Sequence, residues 1–172
     1  MKELFLSSDQ TISSSYEFLH DIEMLQAYYL LCREGRSEKI PPVPVMHRVQ
    51  VEPFFTPMLR RKFDQFIGEH PDAEYFLLDG SHRTTAAALS GHPCPAVIMQ
   101  SQDDVGAMKA MVTQGRIFKY TLGETIEEVR RNVLTHFEQS QSFQTSAEKI
   151  QKMIAAKVIP GYIVEPHGLG GL

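Results

Sequence analysis

Five consecutive residues, Asp79-Gly80-Ser81-His82-Arg83, hold the densest chemistry in this chain. They stand between a short apolar run, Tyr75-Phe76-Leu77-Leu78, and an Ala-rich stretch that reads as a helix to Ser90 with Gly91 after it. A helix that starts directly after Gly80 leaves its first backbone N–H groups without intrahelical partners and sets the positive end of its dipole there. Glycine at position 80 lets a ligand approach the backbone. Ser81, Thr84 and Thr85 add hydroxyl donors, His82 a ring N–H, and Arg83 a fork that matches phosphate. Ala86, Ala87 and Ala88 allow close packing beneath. These are the parts of a phosphate cradle. They also suit a plain Asp-Gly turn in which Arg83 pairs with Asp79. An arginine in the first helical turn opposes the dipole unless something negative lies nearby, and this favours an anion.

Other chemistry-bearing groups read more simply. His92 and Cys94 are separated by Pro93 and followed by Pro95, a rigid turn without zinc-ligand spacing to His82. No metal site is expected. The acidic pairs Asp103-Asp104 and Glu127-Glu128 sit at helix starts, where carboxylates stabilise the helix anyway. Arg60-Arg61-Lys62 reads as a solvated helix face, and Met108 and Met111 as packing.

The elements that must position the turn follow from periodicity. Residues 1–13 are mixed and Ser-rich and read as a loose or docked arm. From Ser14 to about Glu34, Phe18, Ile22, Leu25, Tyr29 and Cys32 recur at helical steps, and Gly35 ends the helix. Pro41, Pro42, Pro44 and Pro53 forbid a helix, while Val43, Val45, Val49 and Val51 alternate; an extended edge strand is expected. Thr56-Pro57 starts a helix with Met58, Leu59, Phe63, Phe66 and Ile67 on its apolar face. Tyr75–Leu78 and Ala96–Met99 read as buried strands around the Ala-rich helix. Ser101 with Asp104, Thr125 with Glu128 and Thr145 with Glu148 start three further helices. Ile117–Tyr120 reads as a strand, Val158–Val164 as a turn and short strand, and the end with Gly168, Gly170 and Gly171 as a flexible tail.

The fold class implied is α/β (α+β), a small mixed sheet flanked by helices with additional helices at both ends. Residues 1–37 are expected to form an arm and helix, 38–115 the core and 116–172 a helical extension, packed as one domain of 172 residues. Seventeen Lys and Arg against 21 Asp and Glu give a net charge of -4, which argues against a general grip on nucleic acid. Two cysteines make no disulfide framework, no apolar run suits a membrane span, and the first residues do not read as a signal peptide; a cytoplasmic location is expected.

The segment YFLLDGSHRTTAAALSGHPCPAVIM, Tyr75 to Met99, resembles the central segment of the ParB/sulfiredoxin superfamily. There a strand ends in an Asp-Gly-x-His-Arg type turn, followed by a small-residue helix, a glycine, a proline turn and a strand. The likeness covers roughly residues 38 to 115. It implies a nucleotide-phosphate site on Asp79, Gly80, Ser81, His82, Arg83 and Thr84, with ATP, ADP or CTP as ligand and magnesium as a companion. Ser81 stands where sulfiredoxins carry their catalytic cysteine, so sulfinic-acid reduction is not implied. The chain after Gly115 is too short for the DNA-binding and dimerisation domains of partition proteins. A third branch, small ADP-dependent kinases acting on free serine, uses a similar turn and a glutamate base near the leading strand. By that likeness Glu52 and His82 are the catalytic candidates for phosphotransfer to a small hydroxyl acceptor. The alternatives are a non-catalytic nucleotide-responsive module, whose terminal helices suit a protein partner or a second copy, and a ParB-like nuclease.

Overall fold

Alternation of apolar side chains along the strands sets the layers. The structure is a computed structural model, and it describes residues 2–14, 21–117 and 119–164. Its strands are β1 (Lys2–Leu6), β2 (Thr11–Ser13), β3 (Val43–His47), β4 (Tyr75–Leu77), β5 (Cys94–Ile98) and β6 (Gln144–Thr145). They form one mixed sheet in the order β1-β5-β3-β4-β2-β6. The helices are α1 (Ile22–Arg33), α2 (Pro57–Glu69), α3 (Ser81–Leu89), α4 (Gln102–Thr113), α5 (Ile126–Ser140), α6 (Ser146–Ala155) and α7 (Gly161–Val164).

Successive strand residues point to opposite faces, and here both faces are covered. Met46, Phe76 and Val97 join Leu59, Phe63, Val105, Val133 and Phe137 in one core beneath α2, α4 and α5. Val43, Val45, Leu77, Ala96 and Ile98 join Cys32 and Ala87 in a second core beneath α1 and α3. A third cluster, with Leu25, Leu89, Ile150, Met153 and Ile163, fastens α6 and α7 against α1 and α3. The architecture is helices, mixed sheet, helices, as the sequence implies, and the sheet takes strands from all three expected segments.

Four helix starts match their caps, one of them α5, where Thr125 Oγ1 accepts from Glu128 N at 3.1 Å. Thr56 Oγ1 accepts from Leu59 N at 3.3 Å with Pro57 as the first residue of α2. Ser101 with Asp104 and Thr145 with Glu148 close reciprocal capping boxes at α4 and α6.

The structure corrects several expectations. Residues of the expected arm form β1 and β2, and β2 is buried between β4 and β6. The first helix starts at Ile22, capped by the Asp21 carboxylate, while residues 15–20 of the expected span lie outside the described residues. The proline-rich strand is central rather than at an edge. Pro44 is tolerated because Val45 pairs with Leu77, the last residue of β4. Its missing N–H thus falls opposite Leu78, beyond the ladder, where its carbonyl still accepts from Leu78 N at 3.1 Å. The strand stops at His47; Val49 and Val51 lie in or beside two short 3-10 turns, Arg48–Gln50 and Glu52–Phe54. Met58 is 58% exposed and leaves the apolar face of α2. Ile117, Lys119 and Tyr120 belong to no strand, and 161–164 form α7 instead of a strand. The glycine-rich end lies outside the described residues.

Candidate functional site

The turn after β4 has its geometry set by its neighbours. Gly80 is the N-cap of α3 with φ +104, a backbone that L side chains rarely adopt. A Cβ there would stand 2.4 Å from Val43 Cγ1 and about 3 Å from the Arg83 guanidinium. The glycine is therefore required by β3 and by Arg83, before any ligand is considered. Asp79 Oδ1 accepts from Gly80 N at 2.7 Å, and its Oδ2 from Arg83 Nη2 at 3.1 Å. Arg83 is buried, and its Nη1 donates to the carbonyls of Pro41 at 3.1 Å and Pro42 at 2.8 Å. Its fork thus ties the turn to the segment that enters β3. The Thr84 hydroxyl donates back to the carbonyls of Gly80 and Ser81. Arg83 and Thr84 hold the turn in shape.

Ser81 and His82 open α3 and reach toward other elements. The Ser81 hydroxyl accepts from Lys149 Nζ at 2.6 Å, a buried lysine of α6. His82 Nε2 accepts from Asp21 N at 3.2 Å, at the start of α1.

The turn forms part of a cleft of about 240 Å³. Met24, Tyr28, Pro41, Pro44, Met108 and Leu122 supply its apolar lining, and Asp79, His82, Arg83, Lys119 and Thr121 its polar lining. Lys119 is exposed and carries no ion pair or side-chain hydrogen bond among the described residues. Asp79 is the one carboxylate on the described lining.

Glu52 lies elsewhere. β3 and β4 run antiparallel, with Val45 opposite Leu77 and His47 opposite Tyr75. The turn that follows Leu77 is therefore at the Val43 end of β3, and Glu52 follows the His47 end, a strand length of roughly 13 Å away. Its carboxylate sits between Arg48 Nε at 3.6 Å and Arg60 Nη1 at 3.2 Å and does not line the cleft. The structure brings Asp79, Gly80, His82 and Arg83 together on one cleft and keeps Glu52 apart from them.

Cys94 is buried, and burial pushes its thiol up to about 12, with Arg83 drawing it down and Cys32 raising it further. It stays a thiol at neutral pH. No group of three or more His, Cys, Asp or Glu side chains suited to a metal occurs among the described residues.

No family model matches the chain, and neither does any curated protein or solved structure. Two contributors to the site escape a reading of the sequence. Lys119 comes two residues after Ile117 in a stretch whose apolar residues resemble a strand, whereas in the structure Lys119 lines the cleft. Lys149 follows the capping box of α6 like an ordinary surface lysine, and nothing in its spacing signals burial against Ser81.

Proposed function

We propose that the protein binds a nucleotide in this cleft, with a phosphate at the start of α3 beside His82 and Lys119. The base then lies on the apolar lining around Tyr28, Met24 and Met108. The observation that carries this reading is the cleft itself: a strand–glycine turn–helix junction opening on a lining with an apolar part, an imidazole and a lysine outside any ion pair among the described residues. The resemblance of Tyr75–Met99 to the ParB/sulfiredoxin superfamily supports the same use of the turn. Magnesium, where it accompanies the phosphates, would find Asp79 as its protein carboxylate and would keep most of its water and phosphate ligands.

A binding role is favoured over phosphotransfer with Glu52 as base, because a general base must lie within hydrogen-bond reach of the acceptor. Glu52 is held by two arginines at the far end of β3. One observation supports a transferase, the Asp79 carboxylate on the cleft.

Calorimetry with ATP, ADP and CTP tests the reading. Binding should weaken about tenfold in Lys119→Ala, the size of a charge-assisted hydrogen bond, and should persist in Glu52→Gln. Absence of binding by the wild type removes the proposal. Incubation with a pool of small hydroxyl compounds separates the two roles: transfer lost in Asp79→Asn supports an enzyme, and binding without turnover supports a module.

A further inference from the structure

Exposed apolar side chains scattered singly are ordinary, but a group of them beside an unpaired charge marks a surface made for contact. Seven large apolar side chains are exposed among the described residues, and three of them, Val49, Phe54 and Met58, fall within ten residues just beyond the His47 end of β3. Arginines thread the same stretch. Arg48 and Arg60 share the Glu52 carboxylate, and Arg60 also holds Asp64 at 2.7 Å. Arg130 reaches across from α5, with its guanidinium carbon 4.9 Å from the centre of the Phe54 ring. No carboxylate pairs with Arg130 among the described residues, and its Nε is buried without an acceptor. Three arginines thus face two carboxylates, and the charge left over sits on an exposed aromatic ring. The ring attracts the cation and holds it there, so the charge stays open to an acceptor from outside the chain.

We propose that this patch docks a segment of another protein that presents a carboxylate beside a large apolar side chain. The carboxylate pairs with Arg130, and the apolar side chain packs on Phe54, Met58 and Val49. Arginine, methionine and aromatic residues are the types enriched in the centres of protein interfaces. A second copy meeting this patch across a two-fold axis would bring the same surplus positive charge against itself. A single-stranded nucleic acid stacks its bases on open aromatic faces. Here Arg130 covers one face of Phe54, and Val49 and Met58 offer no ring. The inference is independent of the nucleotide reading, because the patch and the cleft lie at opposite ends of β3.

The test is selection of a phage-displayed random peptide library on the immobilised protein, followed by fluorescence anisotropy with a synthetic copy of the most enriched peptide. Enriched peptides should carry Asp or Glu within a few residues of Leu, Met, Phe or Trp. Phe54→Ala and Arg130→Ala should each weaken that peptide about tenfold. Both should keep the wild-type melting temperature, because Phe54 belongs to no core cluster and Arg130 holds no other side chain among the described residues. Arg130→Gln, close in shape and without the charge, carries the same expectation if Arg130→Ala melts lower. In Arg130→Glu the acidic peptide should be lost and its lysine-substituted version should bind instead, a swap that a purely structural arginine does not produce. Enriched peptides without acidic residues, or affinity that either alanine variant leaves unchanged, overturn the proposal. So does a selection that enriches no peptide. Self-association that Arg130→Ala abolishes in sedimentation velocity makes the occupant a second copy and overturns it, as does binding of an oligothymidylate that depends on Phe54.

Discussion

The two ends of β3 carry similar side chains and use them differently. At the Val43 end a buried arginine, Arg83, satisfies Asp79 and two backbone carbonyls, and a cleft opens beside it. At the His47 end a carboxylate, Glu52, is clasped by Arg48 and Arg60 and faces no cavity found among the described residues. Both are arginine–carboxylate clusters within a few residues of the same strand. The difference lies in what each cluster holds. Arg83 fixes main chain, so its pairing shapes a turn; Glu52 joins side chains of half-exposed segments, so its pairing shapes little.

Breaking each end separately should give unequal losses. The largest is expected from Gly80→Ala, which combines an unfavourable φ with a 2.4 Å contact to Val43 Cγ1. It should lower unfolding free energy by about 3 kcal/mol in urea titrations, through strain and overpacking. Next, Arg83→Met should cost about 2 kcal/mol, because the Pro41 and Pro42 carbonyls and Asp79 lose their donor. Its effect on binding must therefore be read beside its stability. Glu52→Gln should cost less than about 1 kcal/mol and leave binding unchanged. A cost for Glu52→Gln equal to that of Arg83→Met would erase the distinction between the ends.

Asp104 calibrates this scale, being the carboxylate that closes the capping box of α4. Burial pushes its carboxyl up, but hydrogen bonds, those from Gln100 N, the Ser101 hydroxyl and Ser101 N among them, outweigh that and hold it below the ordinary carboxylate range. A lowered folded-state value stabilises above the unfolded value, and the contribution disappears as pH falls through the folded one. Asp104→Asn should cost about 1 kcal/mol at neutral pH. That gap from the wild type should close below about pH 4, the unfolded carboxylate value. A gap independent of pH would refute the ionic part of the cap.

Much of this arrangement is legible in the sequence where the cause is local. Thr56-Pro57, Ser101 with Asp104, and Thr145 with Glu148 announce helix starts because the capping atoms lie within one turn. Asp79-Gly80 announces a turn into a helix for the same reason, while the left-handed backbone of Gly80 appears only in the structure. The site failed to be legible where the cause is distant. Glu52 stands close to β3 in sequence, but which end of the strand meets the turn depends on the antiparallel pairing of β3 with β4. β1 and β2 are short and rich in Ser, Thr and charge, and become strands only through partners about 60 to 130 residues onward. Ile117 and Tyr120 have apolar side chains of strand type but pair with no strand among the described residues, and they pack under a cleft instead.

The placement of β1 and β2 also bears on how the chain assembles as it is made. β1 completes its ladder only with Cys94–Ile98, and β2 is seated between β4 and a strand at Gln144–Thr145. Both segments are thus made well before the strands that they pair with. Until then they emerge as short extended pieces with unpaired backbone groups. Contacts of such long separation slow folding relative to local ones. An anchored or fused N-terminus would act on this late step, leaving the local helices to form unhindered while delaying closure of the sheet.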